Sequence, residues 1–437
     1  MAKIVERGLC ELYDEDPERA DARVFGRVSA PNRRGFLRGA GLGAMTTALG
    51  VTGIPFGWNM PAGLIPAALA EETDPFVLAG KERGLILHND RPLNMETPAH
   101  LLDDDVTPAE RFFVRNNGTL PEPIAPGDWR LTIDGEVETP LELTLDQLVN
   151  DFEPVTLRLQ LECGGNGRAG FNPSPRGNQW TVGAVGNAEW TGVRLRDILI
   201  RAGLKPSAVY TGHFSYDEHL SGEEGRPSIS RGGPIDKMMD PHTIVAYRMN
   251  GADMPRAHGY PARIVAPGWA GSVSQKWVTR IWVRDKEHDG PGMTGLSYRM
   301  PRHPVAPGAE VDHADMMVMG SMPIKSVISF PETGAETPAG RPFEVRGQAW
   351  AGDDAPERVD VSIDFGATWR PARLDPAPNR YSWQRWRADV TLPNVGYYEV
   401  WARATDQNGR AQPMVVPGWN PRGYNNNACH RIAVTAV

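Results

Sequence analysis

Residues 155–168 read VTLRLQLECGGNGR, and their pattern sets the reading of the whole 437-residue chain. Val155, Leu157, Leu159 and Leu161 alternate with Thr156, Arg158, Gln160 and Glu162, the period of a half-buried strand. Cys163 continues the apolar phase. Gly164, Gly165 and Gly167 then end the strand, and with Asn166 they permit close approaches that a Cβ would block. The thiol is thereby predicted at a strand end, beside bare backbone and Arg168. Amide groups and a cation in that place favour the thiolate, the form that ligates metals or attacks electrophiles. The plainer alternative is a small core cysteine. This stretch alone leaves both open.

Upstream, residues 85–108 are rich in Pro, Asn and Asp and read as irregular chain. RFFVRNN (111–117) follows, a short apolar strand ending in a cation and two amides. WRLTIDGEV (129–137) alternates and predicts a hairpin turning at Asp134-Gly135. TLDQ (144–147) has capping-box spacing, which starts a helix at Leu145. Downstream, Leu195, Ile198, Leu199 and Ala202, closed by Gly203, predict an amphipathic helix. IVAYRMNG (244–251) reads as a strand and turn, and the glycine-rich segment before it offers Asp217 and Arg231 without a decisive pattern. HGYPAR (258–263) and PGWAGSVSQKW (267–277) bring one His, one Arg, one Lys and several Gly and Ser amides onto apolar strands. Such a set suits a phosphate and a polar heterocycle. From about Ser321 short alternating strands predict an all-β sandwich of immunoglobulin-like build, although the Cys-Trp-Cys of antibody domains is missing. Cys429, in the closing strand, is predicted to be packed.

The length predicts two domains plus a leader. Apolar content of 40% and charged content of 23% are globular values. A net charge of −8 gives no support for a nucleic-acid partner. Cys10, Cys163 and Cys429 are too few for a disulfide framework, and no C-x-x-C-H haem attachment motif is present. Arg33-Arg34-Gly35-Phe36-Leu37-Arg38 precedes an uncharged segment, 39–70, that ends in Ala68-Leu69-Ala70. This resembles a twin-arginine export signal over residues 1–70 and implies a periplasmic protein. Seven Gly and three Pro in the segment argue against a membrane span.

Taken in order, FFVRN (112–116), LQLECGGNGR (159–168), WTVGA and EWTGV (180–193), AYRMNG (246–251), HGYPARIVAPGWAG (258–271), KW (276–277), WNPRG (419–423) and HRI (430–432) resemble the sulfite oxidase family of molybdenum enzymes. The resemblance implies an α+β chain: a molybdopterin-binding catalytic domain over 71–310, then an immunoglobulin-like β-sandwich dimerisation domain over 311–437. It implies Cys163 as the metal's thiolate ligand and a single molybdopterin as cofactor, with no haem in this chain. It implies that Arg115, Arg168, Trp180, Tyr298 and Arg422 line an oxyanion pocket. Phe113, Asn117, Asp217, His258, Arg263, Ser274 and Lys276 would hold the pterin and its phosphate. Within the family, the leader and the LECGGNGR wording look most like the molybdenum subunits of sulfane dehydrogenases. That likeness implies oxidation of carrier-bound sulfane sulfur, or of sulfite, with a c-type cytochrome subunit and a sulfur-carrier protein as partners, in a homodimer or heterotetramer. Asn117 stands where many members have histidine, Val273 where some carry arginine, and Tyr298 matches by its distance from Lys276.

Two rivals from other classes fit the residues taken singly. One is an exported binding module in which Cys163 is core. The other makes Cys163 a covalent nucleophile with His258 as base.

Overall fold

The computed structural model describes residues 74–437, so the export-signal expectation for 1–70 lies outside the described residues. The thiol strand, Pro154–Glu162, pairs antiparallel with Val185–Arg194, from Pro154 opposite Val193 to Glu162 opposite Val185. Ile244–Met249 comes next, flanked by Ala252–Asp253 and Arg263–Val265. The expected alternation holds at the start of the strand, where Thr156 is exposed. From Leu159 onward every residue is buried. The reason is tertiary: the C-terminal sandwich covers this end, and the Gln160 N–H on the open sheet edge donates to the Tyr381 carbonyl at 2.8 Å.

A second sheet runs Leu141–Thr144, Arg130–Gly135, Val278–Arg284, Tyr210–Ser215. Leu131, Ile133, Ile281 and Val283 from this sheet share one core with Leu148 of the helix Leu145–Asn150 and with Leu195, Ile198 and Leu199 of the helix Leu195–Ala202. Both helices stand where the spacing predicted them, and Thr144 and Gln147 close the capping box reciprocally. The hairpin at Asp134-Gly135 is a correction. The strand runs on to Gly135, and its antiparallel partner, Leu141–Thr144, follows after residues 136–140. Gly135 serves packing instead: at φ 90° a Cβ there would lie 2.1 Å from the Val283 carbonyl of the parallel neighbour. Residues 85–108 are also more ordered than their composition suggests. Ile86–Asp90 and Leu93–Glu96 form a ladder joined by Val114–Arg115, which fixes the position of Arg115.

The C-terminal part is a two-sheet β-sandwich, as the alternating strands predicted. One sheet orders Ile324–Phe330, Pro342–Ala351, Gln384–Thr391, Arg373–Leu374; the other orders Ala335–Thr337, His430–Ala436, Gly396–Asp406, Pro356–Ser362, Arg370–Pro371. Ile324, Ile328, Val345, Val359, Val361, Trp386, Val400, Ile432 and Val434 fill the space between them. Cys429 is buried here, and burial pushes its thiol up to about 11. Before the sandwich, a two-stranded ladder of Arg299–Pro301 and Met316–Val318 straddles the expected boundary at 310. Among the described residues no helix is long and apolar enough to cross a membrane.

Candidate active site and its family

A recess opens beside the end of the thiol strand. Its lining comes from distant segments. Arg115 arrives on the short strand Val114–Arg115 with Phe113 and Asn117 flanking it, Cys163 directly after the thiol strand and Asp217 just past Tyr210–Ser215; His258, Arg263, Ser274 and Lys276 come from one run of the chain and Tyr298 from the next connection. The sequence had placed the 258–277 groups along strands. In the structure Arg263 alone of these lies in a strand, Arg263–Val265, while His258 ends a 3₁₀ turn and Ser274 and Lys276 occupy irregular chain. Irregular backbone of this kind turns amides and side chains toward one point, which an extended strand does not.

The electrostatics of the recess are one-sided. Arg263 is buried, and its guanidinium donates to the carbonyls of His258 (3.0 Å) and Ser274 (2.8 Å); burial pushes it down to about 9. Lys276 donates to the Ala257 carbonyl at 2.8 Å and to the Asn116 side-chain oxygen, and its ammonium lies 4.3 Å from the Trp277 ring centre. Burial, then the neighbouring Arg263, holds Lys276 well below the usual lysine range. His258 is held well below the usual imidazole range by burial and by Lys81, Lys276 and Arg263. Arg115 donates to Asn117 at 2.7 Å and to Asn94 at 3.3 Å. Asp217 is the one carboxylate in the lining, and Ser215 and Ser228 each donate to it at 2.5 Å. Burial raises its pKa.

Two cations of this region were not singled out as site residues from sequence. Lys81 is buried against the His258 ring, 2.6 Å from Nε2, and burial pushes it down to about 7. Arg231 is buried behind the lining; its Nε donates to Ser272 at 3.2 Å, its guanidinium carbon lies 4.6 Å from the Tyr298 ring centre, and its Nη2 has no partner. Arg231 had been offered with Asp217 without a decisive pattern, and Lys81 carried no local signal; both acquire meaning from the fold. Three expected residues stand outside the lining. Arg168 turns away from the thiol, donating to the carbonyls of Arg422 (2.7 Å) and Asn178 (2.8 Å), and packs over the Tyr424 ring, which stacks on Tyr298 at 5.4 Å. Arg422 supplies that carbonyl. Trp180 is fully buried in the apolar cluster that contains Cys163, and its indole N–H has no partner.

The donor set fits an anionic, polar group carrying a thiophilic metal. A soft thiol lines the recess, cations outnumber the lone carboxylate, and Asn116 Nδ2 and Gln275 Oε1 are buried lining atoms without partners. Such vacant hydrogen-bonding capacity is what a heterocycle with ring nitrogens would satisfy. Fold and recess together define a domain with a site for an anionic, metal-bearing group, followed by a β-sandwich.

Comparison with known proteins agrees. Residues 117–291 match the oxidoreductase molybdopterin binding domain, and residues 316–437 match the Mo-co oxidoreductase dimerisation domain. The chain is 34% identical to sulfite oxidase of Gallus gallus across 84% of its own length and 81% of that protein. It is 33% identical to nitrate reductase 1 of Oryza sativa across 78% of its own length and 40% of the other. The sulfane dehydrogenase SoxCD of Paracoccus pantotrophus superposes with a TM-score of 0.64 at 29% identity, covering 78% of this chain and 84% of that one. The chain belongs to the sulfite oxidase family and is a molybdenum oxidoreductase that binds molybdopterin.

Proposed function

We propose that the chain oxidises reduced sulfur at molybdenum ligated by Cys163 and passes the electrons to a c-type cytochrome partner in the periplasm. The observation that carries this reading is the meeting of one soft thiol with a surplus of carboxylate-free cations in a single recess. When bound, the molybdenum–pterin group supplies a two-electron acceptor and an exchangeable oxygen. His258, Arg263, Ser274 and Lys276, with Phe113, Asn117 and Asp217, hold the pterin and its phosphate. Arg115 faces the same space and orients a sulfur oxyanion through a fixed guanidinium fork. Tyr298 lines the same recess, braced by Tyr424. Arg168, Trp180 and Arg422 act from behind: Arg168 supports Tyr424 and so Tyr298, and Trp180 packs the thiol's surroundings.

The substrate we favour is sulfane sulfur carried on a partner protein, a reading supported by the likeness to sulfane dehydrogenase over most of both chains. The second reading is free sulfite, favoured by the higher identity to sulfite oxidase. The sandwich would pair two copies, as a homodimer or within a heterotetramer with two cytochromes. Purified protein assayed for molybdenum, then for cytochrome reduction by sulfite and by a persulfidated carrier, tests all of this. High turnover on sulfite alone replaces the sulfane reading with the sulfite one. A chain from cofactor-competent cells that carries no molybdenum overturns both.

A further inference from the structure

Glu162 immediately precedes the thiol, and its side chain is 1% exposed; its partner Lys325 is 6% exposed. Lys325 lies on the first sandwich strand, and its ammonium donates to Glu162 Oε1 at 2.5 Å and to the Asn166 carbonyl at 3.3 Å. Trp350 stands directly opposite Lys325 on the neighbouring strand and donates its indole N–H to Glu162 Oε2 at 2.8 Å. A cross-strand pair of the sandwich thus grips both oxygens of one carboxylate in the catalytic domain. The Asn166 amide closes the arrangement, donating to Glu162 Oε1 at 3.0 Å and accepting from the Ala184 N–H at 3.1 Å. Between these two anchors the Cys163 N–H donates to Ala184 and its carbonyl accepts from the Asn166 N–H, each at 2.9 Å.

We propose that Lys325 and Trp350 make the sandwich a positioning element for the metal-ligand loop, fixing the Cys163 thiol by holding Glu162 and Asn166 on either side of it. A buried carboxylate stripped of its cation must find water or swing toward it. Glu162 shares a peptide unit with Cys163, so any such swing moves the thiol. The sandwich therefore does more than present a surface for pairing. The ligand role of Cys163 comes from the proposed function, but the grip on the thiol is measurable without metal.

The test uses the full chain purified without molybdenum, with iodoacetamide labelling of Cys163 followed by peptide mass spectrometry. K325M is expected to speed labelling about tenfold through local opening, and the neutral pair E162Q/K325Q to return the rate toward that of the parent. V345A, in the sandwich core away from this contact, is expected to lower the melting temperature and leave the labelling rate alone. In metal-loaded protein K325M shifts the visible absorption of the metal–sulfur centre and V345A does not. Labelling of K325M at the parent rate, or of V345A as fast as K325M, overturns the proposal. Should K325M fail to fold, K325Q takes its place, and equal labelling of K325Q and E162Q/K325Q overturns it likewise. Faster labelling of K325M in a chain that never takes up molybdenum upholds the positioning and retires the metal reading.

Discussion

Among the described residues two regions hold lysines largely out of solvent, and they treat the charge in opposite ways. At the seam between catalytic domain and sandwich, Lys325 meets Glu162, and Lys237 meets Asp353 at 2.7 Å, with the Tyr381 hydroxyl donating to the same carboxylate at 2.9 Å. At the recess, Lys276 in the lining and Lys81 behind His258 meet a histidine ring, an amide oxygen and backbone carbonyls, and the lining's single carboxylate is already held by two serines. The seam is electrically complete. The recess is short of negative charge, and burying an unpaired ion costs several kcal/mol. A cluster of this kind is tolerable in a fold whose working form contains an anion, which is why charge imbalance locates the ligand better than cavity shape does.

The strongest way to break this contrast is to remove the one soft atom in the recess. Cys163→Ser is expected to abolish the visible absorption of the metal centre and to cut turnover by about a thousandfold or more, roughly 4 kcal/mol of activation free energy. Normal turnover in that variant would end the account. Next in size is a pair of lysine deletions with opposite signs. At the seam, Lys325→Met strands a buried carboxylate and should cost about 3–5 kcal/mol in denaturant unfolding. Behind the recess, Lys81→Met removes a buried cation with no bonded carboxylate and should stabilise the metal-free protein by about 1–3 kcal/mol at pH 6. If both destabilise, the two regions do not differ as argued.

The pH dependence of that gain sharpens the test. Lys81 titrates near pH 7 when folded and near its ordinary value of 10.5 when unfolded. Between those values the unfolded chain binds the extra proton, so parent stability rises with pH across the window. The advantage of Lys81→Met is therefore full below about pH 7 and fades toward pH 10. The smallest expected effect concerns the missing anion itself. Inorganic phosphate at about 10 mM should raise the melting temperature of the metal-free protein by a few degrees at pH 6. The rise should be smaller at pH 9, where Lys81 is neutral, and equal rises would remove Lys81 from the anion site.

Much of the architecture could be read from local chemistry. The thiol strand, the capped helix at Leu145, the helix closed by Gly203 and the sandwich strands each carry a periodic signal that tertiary contacts reinforce. Where reading failed, a neighbour distant in sequence had overridden the local pattern. Glu162 looked like the solvent face of a strand and is buried because Lys325 and Trp350 reach it from another domain. Asp134-Gly135 looked like a turn and is a close approach to Val283. Most of the expected site residues do converge on the recess. Arg168, Trp180 and Arg422 stand one layer back, because a sequence motif reports which groups belong to a site but not which way a long side chain turns. Lys81 left no trace in its own segment and Arg231 only an indecisive one, since a buried cation is defined by what surrounds it.

The loop 418–426 also bears on how the thiol loop is held. Asn425 donates its N–H to the Gly164 carbonyl at 3.1 Å, Asn426 donates to Gly167 at 2.7 Å, and Tyr424 stacks on Tyr298. These contacts clasp the outside of the thiol loop from a segment distant in sequence. Loosening that segment therefore frees the outer side of the thiol loop and the brace on Tyr298 together.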